Sequence, residues 1–133
     1  MGTEDRERED DLARGFATRR RVLGDAYVDR ATEGARDFDR PFQAYITAGP
    51  WGRVWSRDGL ALRERSLVTL AILAALGHWG EFELHLRATA NTGATPDEVR
   101  EALLHVAVYA GAPAANTALA RAKAVYAEMG VEV

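Results

Sequence analysis

One histidine stands where a neighbouring carboxylate could prepare it for proton transfer. His85 lies in the segment EFELHL, and Glu81 comes one helical turn earlier on the same face. A carboxylate at this spacing can orient the imidazole and keep its protonated form available, which suits a general acid or base near neutral pH. A histidine that makes one structural hydrogen bond in a helix interface fits the same spacing. The residue pattern leaves both interpretations open.

The other two histidines offer weaker chemistry. His78 and Glu81 are three residues apart and could bind a metal ion, but the sequence fixes no third ligand. We therefore predict no metal site. His105 lies in the middle of a predicted helix beside its apolar stripe, where packing in the core is the expected role.

A second candidate cluster combines tryptophan and arginine in the segment WGRVWSR. Trp51 and Trp55 are four residues apart on one helical face, and Arg57 follows them. They could line an apolar pocket whose rim binds carboxylates. Two tryptophans packed in a helix interface would give the same pattern. Arg65, further along, is most simply a solvated or salt-bridged residue, and the arginine run 19–21 is typical of a basic helix face.

The elements that must position these side chains are all predicted to be helices. Apolar residues recur at helical spacing, and no alternating strand pattern supports a sheet. Thr95, Pro96 and Glu98 form the signature of a capping box, and Gly49-Pro50 is expected to break or bend its helix. We predict an all-α fold with helices over residues 12–23, 26–35, 39–46, 60–76, 81–90, 96–110 and 114–129.

The composition is that of one small globular domain. Of the 133 residues, 47% are hydrophobic and 28% charged, as in soluble globular proteins. Residues 1–10 are almost wholly charged and are expected to be disordered, which leaves 11–133 as a single helical domain. The second half of the helix over 60–76 is apolar on every face, and such a helix must be covered on all sides. We therefore expect a homo-oligomer.

Several classes of function are excluded or disfavoured by composition. The absence of cysteine excludes thiol catalysis, disulfides and Cys-ligated zinc. A net charge of −3 gives no electrostatic reason to bind nucleic acid. The charged start does not resemble a signal peptide, and the apolar stretch 67–76 is about half as long as a bilayer requires. We expect a cytoplasmic protein that binds a small molecule.

Beyond these residues, the chain resembles the carboxymuconolactone decarboxylase family, specifically its 4-carboxymuconolactone decarboxylase branch. The resembling stretches occur in order at the expected spacing: RRRVLGDAYVDRA (19–31), FQAYIT (42–47), WGRVWSRDGL (51–60), RERSLVTLAILAALG (63–77), EFELHLRA (81–88), NTGATPDEVREALL (91–104) and YAGAPAAN (109–116). The resemblance implies a small helical subunit of the alkylhydroperoxidase D-like type, assembled into trimers or hexamers with active sites at subunit contacts. The D-type branch carries Cys-x-x-Cys where this chain has His78 and Glu81, so its peroxidase activity is not implied.

The resemblance implies a cofactor-independent decarboxylation of 4-carboxymuconolactone to the β-ketoadipate enol-lactone, in the catabolism of aromatic acids. The departing carboxylate is vinylogous to the lactone carbonyl, so the dienolate left by loss of CO₂ is delocalised by the lactone itself. In this mechanism His85, oriented by Glu81, stabilises the oxyanion and then protonates carbon.

The same resemblance suggests how the substrate is bound. Arg57 and Arg65 are expected to hold the carboxylate, while Trp51 and Trp55 form an apolar wall. Arg20 lies in a stretch similar to the family and is expected to complete the site.

Three positions depart from the branch pattern and bear on the reaction. Tyr27 stands where a histidine is common, Gly49-Pro50 replaces His-Ala, and Thr92 replaces an asparagine. A tyrosine donates a hydrogen bond but does not titrate near pH 7. Two alternatives therefore stay open: a diverged enzyme acting on another lactone, keto acid or polyketide-like aromatic in secondary metabolism, and a non-catalytic helical oligomer that binds a small acid.

Overall fold

The computed structural model describes residues 2–133, which form seven α-helices and one π-helix and contain no strand. The predicted all-α fold class is confirmed. The elements are α1 (Thr3–Leu23), α2 (Asp25–Gly34), α3 (Arg40–Ile46), the π-helix (Thr47–Trp55), α4 (Leu62–Leu76), α5 (Trp79–Thr92), α6 (Pro96–Tyr109) and α7 (Ala112–Glu128). None of these helices is long and apolar enough to cross a membrane.

The chain divides into two compact units, the first ending at Leu60 and the second beginning at Ala61. The prediction of a single domain over 11–133 stays a prediction.

Helix α1 begins earlier than the sequence pattern suggests. It starts at Thr3, so residues 3–10 of the segment expected to be disordered are helical. Glu4 and Asp5 lie in the first turn, where acidic side chains interact favourably with the helix dipole. Glu4 and Arg8 also have the spacing of a helical ion pair. Alternating charges therefore favour a solvated helix here, although they offer it no apolar face.

In the first unit, α1 and the π-helix approach each other closely through two glycines. A Cβ atom at Gly15 would lie 1.8 Å from the carbonyl oxygen of Thr47, and one at Gly52 would lie 2.2 Å from that of Asp11. Asp11 is buried and accepts a hydrogen bond of 2.5 Å from Arg53 Nε. The two helices are thus in backbone contact, with an ion pair beside it.

The sequence predicts a break or a bend at Gly49-Pro50, and the break is not observed. Helix α3 passes into the π-helix without interruption, and Pro50 lies inside it. A proline ring clashes with the carbonyl four residues earlier in a regular α-helix. The wider turn of a π-helix relieves that clash, so the chain continues instead of ending its helix.

In the second unit, α4 to α7 enclose an apolar core. Its largest fully buried side chains are Leu70, Phe82, Leu86, Leu103 and Val99. The predicted capping box at the start of α6 is present: Glu98 N donates to Thr95 Oγ1 (3.2 Å), and Thr95 N donates to Glu98 Oε1 (3.0 Å). The helical pattern and its caps therefore place this unit's elements as predicted.

Helix α4 is apolar around most of its circumference, but the chain covers only part of it. Leu70 and Ala74 face the core, while Val68, Ile72 and Leu76 are half-exposed or more. These three residues follow one another at intervals of four and so form one stripe. An apolar stripe is therefore left uncovered.

Candidate functional site

His85 lies on α5 beside two fully buried residues of the core, Phe82 and Leu86. Burial lowers the pKa of His85 to about 4, although the charge of Glu81 acts in the opposite direction. The imidazole is therefore neutral at pH 7. The expectation that Glu81 keeps His85 protonated near neutral pH is wrong, because desolvation outweighs the attraction of an exposed carboxylate.

The two other histidines lie on the surface of the second unit. His78 precedes α5 and is exposed, as is Glu81. Across residues 2–133, no group of three His, Asp or Glu side chains could hold a metal ion. His105 is exposed, with its ring 4.9 Å from that of Tyr109 one turn later. Its expected role in the core is therefore wrong, because it falls just outside the buried stripe of α6.

Arg65 lies in the first turns of α4, which packs against α5 in the same core. Its side chain is partly buried. The neighbouring Arg63 is engaged with carboxylates, donating to Glu64 Oε1 at 2.8 Å and pairing with Glu98. The sequence-based prediction that Arg65 binds an anion stays a prediction.

In the first unit, Trp51 and Trp55 stack within the π-helix. Their ring centroids are 4.9 Å apart and their planes differ by 29°. Trp51 is buried and Trp55 is half-buried, so at least one of the two indoles serves packing. Arg57 follows the π-helix with an exposed side chain, and its backbone N–H donates to the carbonyl of Val54.

Arg20 links α1 to α2 through two carboxylates. It approaches Asp29 at 2.8 Å and Asp25 at 3.2 Å. Its hydrogen bond to Asp29, followed by that to Asp25, raises the pKa of Arg20. Its guanidinium is thus already paired with two acids of its own chain.

The buried arginine of this segment is Arg19, which the sequence interpretation assigned to a basic surface. Its side chain donates to Gln43 Oε1 at 3.1 Å and to Thr47 Oγ1 at 3.3 Å. It also interacts with the hydroxyl of Tyr27, which partly offsets the lowering of the Arg19 pKa by burial. Tyr27, the residue that departs from the family pattern, therefore contacts a buried cation.

A signal for Arg19 was present in the spacing of α1. The buried positions of that helix recur at intervals of three or four: Asp11, Gly15, Arg19 and Val22. Such periodicity marks an inward face even when its members are polar or small. Two of these four residues are charged, so the buried face of α1 does not form an apolar stripe in the sequence.

Of the predicted site residues, the second unit contains His85, Glu81 and Arg65, and the first contains Trp51, Trp55, Arg57, Tyr27 and Arg20. His85 and Glu81 interact electrostatically on one helix, and Trp51 stacks on Trp55. Tyr27 interacts with Arg19, which is not among the predicted site residues.

Comparison with known proteins gives relatives over most of the chain. This chain is 46% identical over 117 residues to a 4-carboxymuconolactone decarboxylase of Acinetobacter baylyi, and the matched region covers 88% of this chain and 87% of the relative. It is 45% identical over 105 residues to a nitrosuccinic acid decarboxylase of Metarhizium robertsii, covering 79% and 73%. It is 32% identical over 80 residues to an uncharacterized 15.0 kDa protein of Paracoccus denitrificans, covering 59% and 60%.

The sequence model of one family matches residues 40–124, well over half of the chain. This range includes the π-helix and the helix that carries His85. The chain thus belongs to the carboxymuconolactone decarboxylase family.

Proposed function

We propose that the chain is a carboxy-lyase that converts 4-carboxymuconolactone to the β-ketoadipate enol-lactone. The observation that carries this proposal is the 46% identity to a 4-carboxymuconolactone decarboxylase over nearly the full length of both chains. Loss of CO₂ from this substrate leaves a dienolate that the lactone carbonyl delocalises. The reaction as proposed therefore uses no cofactor.

His85 is the proposed catalytic residue. Cleavage of the C–C bond leaves its electron pair on the dienolate, whose negative charge collects on the lactone oxygen. A neutral imidazole can donate an N–H hydrogen bond to that oxygen, and partial exclusion of water strengthens the interaction. The carbon α to the lactone carbonyl is then protonated, which gives the enol-lactone. One nitrogen of the imidazole delivers this proton while the other takes up a proton from solvent, so the ring stays neutral.

Arg65 is the proposed carboxylate ligand of the second unit, because it lies on the helix packed against that of His85. Glu81 is proposed to position His85 through its charge. The proposed substrate-binding residues of the first unit are Arg57, Trp51, Trp55, Tyr27 and Arg20. The role of each is tested by substituting that residue alone. A loss of substrate binding alone would raise KM and leave kcat unchanged.

The proposal is tested by following the absorbance of 4-carboxymuconolactone and the CO₂ released by the purified chain. We expect turnover by the unaltered chain and a fall in kcat of about 100-fold or more for His85→Gln, the range of general acid–base catalysis. His105→Gln, an exposed histidine on α6, is the matched control and should retain activity. Full activity of His85→Gln would remove that residue from the mechanism.

A second candidate is decarboxylation of a different acid. The relative named for nitrosuccinic acid is almost as similar, at 45% identity, and Tyr27 and Gly49-Pro50 depart from the lactone branch. Nitrosuccinate also loses CO₂ next to a group that can delocalise charge. Turnover of nitrosuccinate without turnover of the lactone would favour this reaction. Binding of both acids without release of CO₂ would favour a non-catalytic small-acid-binding protein.

We propose in addition that the chain works as a homo-oligomer, a trimer or hexamer, in the cytoplasm. The uncovered stripe of Val68, Ile72 and Leu76 on α4 supports assembly. Leu104 and Val108 of α6 are similarly exposed. Such surfaces in a small protein are typical of subunit contacts.

A further inference from the structure

A cleft of about 180 Å³ opens in the first unit between α1, α2 and α3. Its apolar wall consists of Leu12, Phe16, Ala35 and Ala44. Its polar lining consists of Arg19, Arg40, Thr32, Gln43 and Thr47. The lining therefore contains two arginines and no acidic residue.

Arg19 is the unusual member of this lining. Only 3% of its surface is exposed, yet none of the ion pairs in residues 2–133 includes it. The side chains that contact it are neutral: Gln43, Thr47 and Tyr27. Its Nε, which is buried, has no hydrogen-bond partner.

A buried cation without a counter-ion is costly, because neutral oxygens replace its hydration only in part. The other arginines beside it are already paired, Arg20 with Asp25 and Asp29, and Arg40 with the exposed Asp37. Arg19 thus carries the one charge of the cleft that its own unit leaves uncompensated. An anion in the cleft would supply the missing charge.

We propose that this cleft binds the carboxylate of a small organic acid, with Arg19 contacting the carboxylate and the apolar wall contacting the rest of the molecule. A planar guanidinium matches the geometry of a carboxylate, which it can bind through two parallel hydrogen bonds. Phe16 and the two alanines favour a flat or compact apolar body over a sugar or a polyphosphate.

The test is a calorimetric titration of the intact chain with benzoate, a carboxylate on a flat apolar ring. Benzamide, which has the same shape without the charge, is the matched ligand. We expect benzoate to bind at least about tenfold more tightly than benzamide, as for a charge-assisted contact. Arg19→Gln should abolish this preference, and Arg21→Gln, an exposed arginine of the same helix, should retain it. Equal affinity for the two ligands would overturn the proposal.

Because Arg19→Gln could fail to fold, a second variant reduces the volume of the cleft and leaves Arg19 in place. Ala44 is exposed at its wall, so Ala44→Leu should fill the cleft without disturbing the core. We expect Ala44→Leu to weaken benzoate binding at least about tenfold, while Ala44→Ser binds as the unaltered chain does. Unchanged binding by a folded Ala44→Leu variant would place the benzoate elsewhere and refute the site. Turnover is not measured, so the result is independent of the proposed decarboxylation.

Discussion

At His85, burial and a neighbouring carboxylate act on one imidazole in opposite directions. Burial prevails, and the pKa falls to about 4. A protonated imidazole would be the stronger acid, but at neutral pH almost none would be present. A neutral imidazole can still donate one hydrogen bond and accept another, which is the form that the proposed oxyanion contact requires.

The low pKa predicts a dependence of stability on pH. The unfolded chain protonates this histidine at its ordinary pKa of about 6.5, whereas the folded chain does so near 4. Between these pH values the unfolded state binds more protons than the folded state. The contribution of His85 to the free energy of unfolding is therefore complete above the unfolded pKa and is lost as the pH falls toward the folded pKa. From about pH 7.5 to about pH 5 this loss should be about 2 kcal/mol.

Urea unfolding at the two pH values measures this loss. The difference between the free energies of unfolding at the two pH values should be about 2 kcal/mol smaller in His85→Gln than in the unaltered chain. It should be unchanged in His78→Gln, because His78 is exposed. Equal pH dependence of the unaltered chain and His85→Gln would show that the folded protein does not hold the imidazole neutral.

At the scale of elements, the first unit depends on the close approach of α1 to the π-helix. Gly15 contacts the backbone of Thr47, and Gly52 contacts that of Asp11. Neither contact can be relieved by rotating a side chain, because the opposing atoms belong to the backbone. The π-helix that contains Gly52 also carries the stacked tryptophans, so the same contact positions part of the proposed substrate wall.

We therefore expect Gly15→Ala to destabilise the protein by about 3 kcal/mol or more, since α1 would have to shift as a whole. Gly34→Ala at the end of α2 is the matched control, because nothing lies within 4 Å of its added Cβ. That change should be neutral or stabilise by up to about 1 kcal/mol. Urea unfolding of both variants measures the difference, and a Gly15→Ala protein as stable as the control would contradict the backbone contact.

At the scale of the whole molecule, exposed apolar side chains occur in both units. The first unit exposes Phe38, Phe42 and Tyr45, and the second exposes the stripe of α4 together with Leu104 and Val108. Single exposed apolar residues are ordinary on a protein surface, whereas contiguous stripes mark interaction sites. The stripe on α4 is therefore the most direct structural argument for assembly.

A charge placed in that stripe should separate the subunits of the proposed homo-oligomer. We expect Ile72→Glu to reduce the mass measured by sedimentation toward that of one chain, because a carboxylate cannot be buried in an apolar contact without a partner. Val133→Glu, at an exposed valine of the C-terminal segment, should leave the assembly unchanged. An assembly of the same mass in Ile72→Glu would show that α4 is not part of the contact.

The sequence alone predicted the fold class and most helix boundaries. The capping box at Thr95 and Glu98, and the apolar repeats of α4 to α7, are local features, so they could be recognised without knowledge of the packing. The predicted start of α1 at Leu12 and the predicted break at Pro50 were wrong, because both depend on geometry that apolar periodicity does not report.

For the site, the sequence identified residue types and a family, while the tertiary structure decided their environment. His85 and Glu81 could be found from their spacing, but the pKa of the imidazole depends on how many atoms surround it. Likewise, three consecutive arginines are equivalent in the sequence until packing buries Arg19 and leaves Arg20 paired with two aspartates. Solvent exposure and the distance between charges are properties of the folded chain, so only the tertiary structure could separate these roles.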